Sequence, residues 1–459
     1  MLIRSSFFFL FVSYACALWI PIRRQSNTQF TTGVIRNPQA GSNIGFSDVQ
    51  NDLYSATIKV NGRSFQVQVD SGSSDLWIDS TGCDLPELCH TGHNSTITYG
   101  DDSSAGGEIV LGNVTFGEFT VMNQALVLAP GSNATDDGLV QGILGVGPYG
   151  GSDIYKELNG TTYNGQTFLT NIFNLVPDVS PYMTFLLSRT NTGVTEGGVL
   201  SIGELVSNLT HIMKAPKLPA LAKSGWLITS DGVLVNGKHH PAYTTSTATG
   251  QKSLALIDTG TTVGQLPRAV VDFMYKGIPG AVWDEEVSTY KLPCRSKVNI
   301  SMVFGGVAHP IHPIDAVIAD IGDNGLVTCY GAFEASDDGL MILGDTFMRN
   351  VYTLFNFGDQ LTQRGGHEPA YIQLLSITDP NQAWNQFDQL NARRIADLVY
   401  DKFAKEFRVS SSTLLAASPT ASLYTLVGGP SKTLATTAFA TATPTSTDTL
   451  QRSRRNYFA

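Results

Sequence analysis

A chain of 459 residues is longer than one ordinary hydrophobic core requires, so two lobes or domains are expected. Only 15% of the residues are charged and 42% are hydrophobic, while the formal net charge of −10 argues against nucleic acid as a partner. Valine, threonine and glycine are abundant up to about residue 375 and helical periodicity is rare there, which favours a mainly β fold.

The N-terminus predicts a secretory signal peptide over residues 1–17. Arg4 supplies the positive charge, residues 7–12 form the apolar core, and Ala15-Cys16-Ala17 is a small-residue cleavage pattern. This apolar stretch is too short to span a membrane, and no later segment reaches the required length. We therefore expect secretion into the extracellular space, with cell-wall association or the vacuole as alternative destinations.

Residues 18–46 predict a short pro-segment. They are poor in acidic residues and contain the dibasic Arg23-Arg24 and then Arg36. The alternative is a flexible leader without a function of its own.

Strand signals begin at about residue 47. Residues 54–60 alternate apolar and polar side chains, and Asn61-Gly62 follows as a strong signal for a type I′ hairpin turn. The return strand, with Phe65, Val67 and Val69 alternating, leads directly into Asp70.

The second half of the chain repeats this plan. Residues 233–238 contain a second Asn-Gly pair, and the apolar residues 254–257 lead into Asp258. A further pair matches as well, Gly142-Ile-Leu-Gly145 with Met341-Ile-Leu-Gly344. We interpret this as an internal duplication that gives two β lobes, residues 47–225 and 226–378, related by a pseudo-twofold axis.

Cysteine usage supports an oxidising compartment. Removal of the signal peptide leaves an even set of four cysteines, which predicts disulfides: Cys83, Cys89, Cys294 and Cys329. Three pairings are possible, and we favour Cys83–Cys89 and Cys294–Cys329, which keep each bond within one half. The alternative is a metal site at Cys89, His90 and His93, but no second Cys/His pair completes a tetrahedral set, so no metal is predicted.

Six sequons for N-glycosylation fit the same secretory route. They are Asn94, Asn113, Asn133, Asn159, Asn208 and Asn299.

Residues 379–459 predict a helical segment followed by a disordered tail. Trp384, Phe387, Leu390, Leu398 and Phe403 have roughly helical spacing, and the favoured interpretation is an amphipathic helix that packs on the body rather than one that binds a partner. From residue 410 the chain is rich in Ser, Thr, Ala and Pro, which is typical of a disordered, O-glycosylated stalk.

Two short triplets carry the chemistry, Asp70-Ser71-Gly72 and Asp258-Thr259-Gly260, one in each half. Two carboxyl groups within hydrogen-bond reach cannot both ionise cheaply, so one keeps a proton while the other stays charged. Such a pair can bind one water, remove its proton and donate a proton to a substrate carbonyl. This arrangement predicts direct hydrolysis without a metal, a cofactor or a covalent acyl-enzyme.

The residues around the two aspartates fit this role. The hydroxyl groups of Ser71 and Thr259 are predicted to brace the two loops, and those of Ser73 and Thr261 to bond the outer carboxylate oxygens. Glycine after each hydroxyl residue permits a sharp turn and a close backbone approach.

Over about residues 48–375 the chain resembles a pepsin-type aspartic endopeptidase of the kind that fungi secrete. The resemblance rests on both Asp-hydroxyl-Gly loops, Trp77 after the first of them, both Ile-Leu-Gly segments, and Ile97-Thr-Tyr99-Gly100. It implies a mainly β, bilobal pepsin-like fold with a central cleft that a β-hairpin flap covers. It also implies a monomer that hydrolyses extended peptides or proteins at acidic pH and is blocked by pepstatin-like inhibitors.

The resemblance also implies a set of substrate-binding residues. Tyr99 is expected near the flap tip, facing Trp77, and backbone groups around Gly100 and Asp101 are expected to bond an extended peptide. The remaining members of the predicted set are Gly72, Gly260 and Thr262.

The chain departs from the family pattern in three places. Ser71 replaces the usual threonine, and the short pro-segment has no lysine to lie over the aspartate pair, which puts zymogen control in doubt. At the flap, Asp102 stands where glycine is common, and aspartate is among the residues that tolerate positive φ best. Asp101 and Asp102 together predict a preference for basic substrate side chains; the alternative is a solvated flap tip.

Alternatives from other classes are weaker. A catalytically inactive pepsin-like binding protein normally loses an aspartate or its supporting hydroxyls, and both sets are present here. The glycine-rich residues 142–147 lack the spacing of a dinucleotide fingerprint. No G-x-S-x-G sequence is present to indicate a Ser/His/Asp hydrolase.

Overall fold

The computed structural model describes residues 31–416, except 41–42, 50–52, 84, 136–139, 190–193, 242–251, 323, 338 and 362–367. The predicted signal peptide, the Arg23-Arg24 pair and the tail beyond residue 416 lie outside the described residues.

Most of the regular structure consists of strands, as predicted. The strands of the first half are β1 (Gly33–Arg36), β2 (Asn43–Val49), β3 (Leu53–Val60), β4 (Arg63–Asp70), β5 (Leu76–Ile78), β6 (Cys89–Thr98), β7 (Ser104–Phe116), β8 (Phe119–Leu128), β9 (Gly142–Gly145), β10 (Tyr182–Leu187) and β11 (Val194–Ile202). The helices of this half are α1 (Asp153–Leu158) and α2 (Phe168–Leu175), with short 3₁₀ turns at Pro38–Ala40, Tyr149–Gly151 and Thr210–Lys214.

The second half contains the remaining elements. Its strands are β12 (Leu218–Pro219), β13 (Leu227–Ser230), β14 (Gly232–Val235), β15 (Lys238–His240), β16 (Ser253–Ile257), β17 (Gly264–Pro267), β18 (Val282–Asp284), β19 (Thr289–Leu292), β20 (Ile300–Phe304), β21 (Val307–Ile311), β22 (Val317–Ile321), β23 (Val327–Gly331), β24 (Phe333–Ser336), β25 (Met341–Leu343), β26 (Val351–Asn356) and β27 (Tyr371–Ser376). Its helices are α3 (Arg268–Tyr275), α4 (Pro313–Ala316), α5 (Asp345–Met348) and α6 (Pro380–Ala416), with a 3₁₀ turn at Gly358–Gln360.

The two halves share one strand arrangement, which confirms the predicted duplication and the bilobal fold. In the first half β9 lies between β4, to which it is parallel, and β5, to which it is antiparallel, while β5 runs parallel to β8. In the second half β25 lies between β16 and β17 with the same directions, and β17 runs parallel to β24. Each arrangement places an Asp-hydroxyl-Gly loop directly after the strand that pairs with an Ile-Leu-Gly segment.

Both Asn-Gly pairs form the predicted hairpin turns. Asn61 and Gly62 have φ angles of 45° and 84°, and Asn236 and Gly237 have φ angles of 49° and 75°. Positive φ at both central residues is the requirement of a type I′ turn, which explains why this dipeptide is found at both positions.

The lobes are joined through a sheet that takes strands from both. β10 of the first half pairs with β26 of the second, with Met183 opposite Phe355. Next to this junction Trp226 is fully buried and packs against Phe355 and Phe357, with ring centroids 5.1 and 5.0 Å away. Burial of a large aromatic side chain contributes about 2–3 kcal/mol, so this apolar contact helps hold the halves in a fixed relation.

The C-terminal part of the predicted pro-segment is integrated into the first lobe. β1 pairs antiparallel with β8, and β2 lies between β11 and β3. Arg36 at the end of β1 forms an ion pair with the buried Glu118, with 2.9 Å between Nε and Oε1. The pro-segment boundary at residue 46 stays a prediction. Removal of all residues up to this boundary would take away β1 and part of β2, which pair with strands of the first lobe.

One of the two predicted disulfides is present. Cys294 and Cys329 are bonded, with their Cα atoms 5.1 Å apart. The predicted Cys83–Cys89 bond is wrong for this structure, in which both residues are free thiols. The physical reason is that the side chains pack on different apolar clusters: Cys83 on the main core, and Cys89 on the smaller cluster that contains Trp77.

Helix α6 packs on the second lobe, as the favoured interpretation predicts, although two of the residues behind that prediction, Trp384 and Phe403, are exposed. Ala383 and Phe387 are buried, Asn391 Nδ2 donates to the carbonyl of Cys294 at 2.7 Å, and Arg394 Nη1 donates to the carbonyl of Val317 at 2.6 Å. None of the helices within the described part of the chain is both long and apolar enough to cross a membrane.

Candidate active site

The two Asp-hydroxyl-Gly loops are fastened to each other by four reciprocal hydrogen bonds. The backbone N–H of Ser71 donates to Thr259 Oγ1 at 2.9 Å, and the N–H of Thr259 donates to Ser71 Oγ at 3.0 Å. Each hydroxyl then donates to the opposite strand, Ser71 Oγ to the Ile257 carbonyl at 3.0 Å and Thr259 Oγ1 to the Val69 carbonyl at 2.7 Å. All four bonds are buried, so loss of either hydroxyl would leave backbone groups of the other lobe without a partner.

Each aspartate is oriented by the residues that follow it. Gly72 N–H donates to Asp70 Oδ1 at 2.8 Å, and Ser73 Oγ donates to Asp70 Oδ2. The second loop repeats the pattern: the donors to Asp258 are the N–H of Gly260, at 2.8 Å from Oδ1, and Thr261 Oγ1, at 2.5 Å from Oδ2. In each lobe, one oxygen of the aspartate therefore accepts from a backbone N–H and the other accepts from a hydroxyl group.

The two carboxyl groups are buried next to each other. Asp70 and Asp258 are both fully buried. Burial, and then the neighbouring Asp70 carboxyl, raise the pKa of Asp258 well above its ordinary value. The first loop also touches the second carboxyl closely, because a Cβ atom placed on Gly72 would lie 2.6 Å from Cγ of Asp258. These groups can therefore share one proton, which is the state that general acid–base catalysis by a carboxyl pair requires.

Strands β6 and β7 form a hairpin whose tip lies beyond Thr98 and Ser104. Tyr99 N–H donates to the Ser103 carbonyl at 2.9 Å, and Asp102 takes a φ of 63°, the left-handed conformation anticipated for aspartate at this position. Trp77 Nε1 donates to the Tyr99 hydroxyl at 2.6 Å, and both side chains are buried. The hairpin is thereby fixed to the strand that follows the first aspartate loop.

The two acidic residues of the hairpin tip have different environments. Asp101 Oδ1 accepts hydrogen bonds from the backbone N–H and the hydroxyl of Ser103, at 3.0 and 2.6 Å. Asp102 is exposed, and Gly100 is half-buried. Asp101 therefore stabilises the turn, and Asp102 is the carboxylate that faces solvent.

Thr262, the last predicted binding residue, is half-buried after the second aspartate loop. Its carbonyl accepts from the backbone N–H of Thr346 at 3.2 Å, at the start of α5. The structure therefore places it beside the second loop, on the side of the second lobe.

Asp75 is a supporting residue that sequence reasoning missed. Its buried carboxylate accepts from Ser152 Oγ at 2.5 Å and from the N–H groups of Asp153 and Ile154 at 2.8 and 3.3 Å, which caps helix α1. Burial raises the pKa of Asp75 to about 6. The sequence does contain one indication of this role, because Asp75 directly precedes the apolar strand β5. An ionisable side chain that is buried at such a position needs hydrogen-bond partners.

The predicted glycosylation sites differ in exposure. Asn113 is half-buried and the other five asparagines are exposed. The two histidines of the alternative metal site each contact a carboxylate, His90 with Glu108 at 2.9 Å and His93 with Glu157 at 3.2 Å. Among residues 31–416, apart from the gaps given above, no three His, Cys, Asp or Glu side chains are grouped so that they could hold a metal ion.

Comparison with known proteins gives a consistent result. The sequence model of the family described as eukaryotic aspartyl protease matches residues 53–364. An aspartic protease of Phaffia rhodozyma is 28% identical over 340 residues, which cover 70% of this chain and 77% of that protein. Aspergillopepsin-1 of Aspergillus flavus is 26% identical over 332 residues, covering 67% and 75%, and penicillopepsin-2 of Penicillium janthinellum is 25% identical over 334 residues, covering 69% and 79%. The matched region contains both aspartate loops and the β6–β7 hairpin.

Proposed function

Because the chain belongs to the eukaryotic aspartyl protease family and is an aspartic-type endopeptidase, we propose that Asp70 and Asp258 are its catalytic pair and act at acidic pH. The observation that carries this proposal is the reciprocal bonding of the two loops, which brings one buried carboxyl group from each lobe to the same place. Four hydroxyl groups support the pair: two join the loops, Ser71 and Thr259, and two donate to the carboxyl groups, Ser73 and Thr261.

The proposed reaction is direct hydrolysis by an activated water. The ionised member of the pair removes a proton from the water, whose oxygen attacks the carbonyl carbon of the peptide bond. The protonated member donates to the carbonyl oxygen, which gives a tetrahedral intermediate. Its C–N bond then breaks as the nitrogen takes up the proton that came from the water, and a hydroxyl group of the intermediate returns a proton to the other carboxyl group. Protons belong to the pair as a whole, so the base is not assigned to one aspartate.

The β6–β7 hairpin is proposed to act as the flap over the substrate. An extended peptide would bind like a strand to backbone groups around Gly100 and Asp101, with Gly72, Gly260 and Thr262 on the opposite side. Of the two acidic residues at the tip, the exposed Asp102 is the one free to attract a basic substrate side chain. Family membership implies peptide substrates and inhibition by pepstatin-like compounds.

The proposed setting is the secretory pathway. Residues 1–17 direct secretion, the exposed sequons carry N-glycans, and the enzyme acts as an extracellular monomer. The Cys294–Cys329 disulfide fits an oxidising compartment.

The test is cleavage of a reduced, carboxymethylated protein by the purified secreted chain at acidic pH. We expect internal cuts, identified by mass spectrometry of the new termini, which an equimolar amount of pepstatin abolishes. Cuts confined to the chain ends, or activity that pepstatin leaves intact, would contradict the proposal. Absence of cleavage, including after acid treatment to remove residues preceding β1, would favour the inactive binding protein.

A further inference from the structure

A loop of the first lobe holds the hairpin next to its tip. Ser104 is the first residue of β7, and its backbone is bonded on both polar groups by consecutive residues of this loop. Its N–H donates to Asn133 Oδ1 at 2.9 Å, and its carbonyl accepts from Ser132 Oγ at 2.8 Å. Two such bonds at one residue fix the position and the orientation of the strand.

The loop is itself attached to the strand that follows the first aspartate loop. The N–H of Ala129 donates to the Ile78 carbonyl at 2.9 Å. The N–H of Gly131 lies 3.1 Å from Asp79 Oδ1 and 3.0 Å from Thr81 Oγ1. A continuous set of hydrogen bonds therefore runs from the end of β5 through the loop to the hairpin.

The loop also shares the apolar cluster of the hairpin. Ala134 is 2% exposed and packs in the cluster that contains Trp77, Tyr99 and Ile97. The N–H of Ala134 donates to Ser132 Oγ at 3.1 Å, which orients that hydroxyl toward Ser104. The loop is thus held from both sides and is not a free surface segment.

From these contacts we propose that residues 129–134 form a latch that holds the flap in its substrate-binding position, with Ser132 and Asn133 as positioning residues. The proposal rests on the proposed function, because the hairpin must act as a flap. A two-stranded hairpin on its own is only marginally stable in water, so its tip needs support from the body. The latch supplies that support before substrate arrives, which lowers the ordering cost of binding.

Asn133 is also the acceptor of a predicted sequon, with Thr135 as its hydroxyl residue. A glycan would attach to Nδ2, whereas the latch uses Oδ1, so both can be present at once. This separation provides a matched control: Thr135→Ala removes the sequon and keeps both bonds to Ser104, whereas Asn133→Ala removes the sequon and the bond from the Ser104 amide to Asn133 Oδ1.

The experiment compares the wild type, Asn133→Ala, Ser132→Ala and Thr135→Ala, all expressed as the full secreted chain in a glycosylating host. Steady-state kinetics with a quenched peptide should show KM raised about fivefold in Asn133→Ala and Ser132→Ala, with kcat changed less than about twofold. Hydrogen exchange at the Ser104 amide should be about tenfold faster in Asn133→Ala, because that amide loses its acceptor. Thr135→Ala should match the wild type in both measurements.

Three results would contradict the proposal that residues 129–134 act as a latch. One is an unchanged KM together with unchanged Ser104 exchange in Asn133→Ala. The second is an equal change in Thr135→Ala, which would assign the effect to the glycan. The third is a general rise in exchange across the first lobe in both Asn133→Ala and Ser132→Ala, which would mean a purely structural role. Hydrogen exchange at the Ser104 amide is measured without substrate. It therefore tests whether the loop holds the hairpin even if the wild type cleaves no peptide.

Discussion

Replacement of Asp70 or Asp258 by asparagine is expected to lower kcat for peptide cleavage by on the order of 10⁴-fold. Asparagine has nearly the same shape and can still accept the bond from the following glycine N–H. It cannot hold or release the proton that the reaction moves. The rates are measured with a quenched peptide at acidic pH, with thermal unfolding to verify that each variant is folded.

Asp388→Asn is the matched control, because it changes an exposed carboxylate on helix α6, outside both the pair and the hairpin. It should cleave the same peptide at close to the wild-type rate. A substituted pair that kept a tenth or more of the wild-type kcat would contradict the assignment of the catalytic residues.

Asp258→Asn, which lowers activity, is expected to raise stability relative to the wild type as the pH rises. The pKa of Asp258 is raised in the folded state above its ordinary value of 3.8, so the folded chain binds the proton more tightly than the unfolded chain does. The wild type therefore loses stability as the pH rises from about 4 through the folded-state pKa. Asp258→Asn has no such proton to lose, and its stability relative to the wild type should grow over that pH range.

Gly72→Ala is expected to reduce kcat by on the order of 100-fold while the fold is retained. A Cβ atom at this position would lie 2.6 Å from Cγ and 2.9 Å from Oδ2 of Asp258, closer than any ordinary contact. The carboxyl group is the movable partner, so it should shift by roughly 1 Å, and misplacement of that size costs about two orders of magnitude in rate.

The control for this substitution is Gly277→Ala, a position where an added Cβ meets nothing within 4 Å. Both variants are compared in kcat and in the midpoint of thermal unfolding. A Gly72→Ala enzyme with a kcat within twofold of the wild type would mean that catalysis tolerates displacement of the Asp258 carboxyl group, which a rigidly positioned pair does not allow.

The sequence predicts this fold well because its signals are local and repeated. Asn61-Gly62 and Asn236-Gly237 each demand the same turn, and each precedes a strand that leads to an aspartate. Duplicate local signals of this kind support one another, since a chance match in one half would not recur at the equivalent place in the other. The same repetition predicts that the two Asp-hydroxyl-Gly loops lie next to each other.

Features that depend on distant contacts were predicted less well. The number of cysteines indicated two disulfides, but whether Cys83 meets Cys89 depends on which apolar cluster each side chain joins. Asn133 is visible in the sequence only as a sequon, and its bond to Ser104 arises from a loop 29 residues away along the chain. The carboxylate of Asp75 likewise finds its partners 77 to 79 residues further along.

Whether Asp70 and Asp258 act as a pair that shares one proton is decided by the pH dependence of kcat/KM, measured between pH 2 and 8. Once the pH is high enough to remove the proton that the pair shares, neither carboxyl group can act as the general acid. We expect a bell-shaped profile with its maximum in the acid range and a loss of activity toward neutral pH. A profile that is flat, or that rises toward neutral pH, would contradict it.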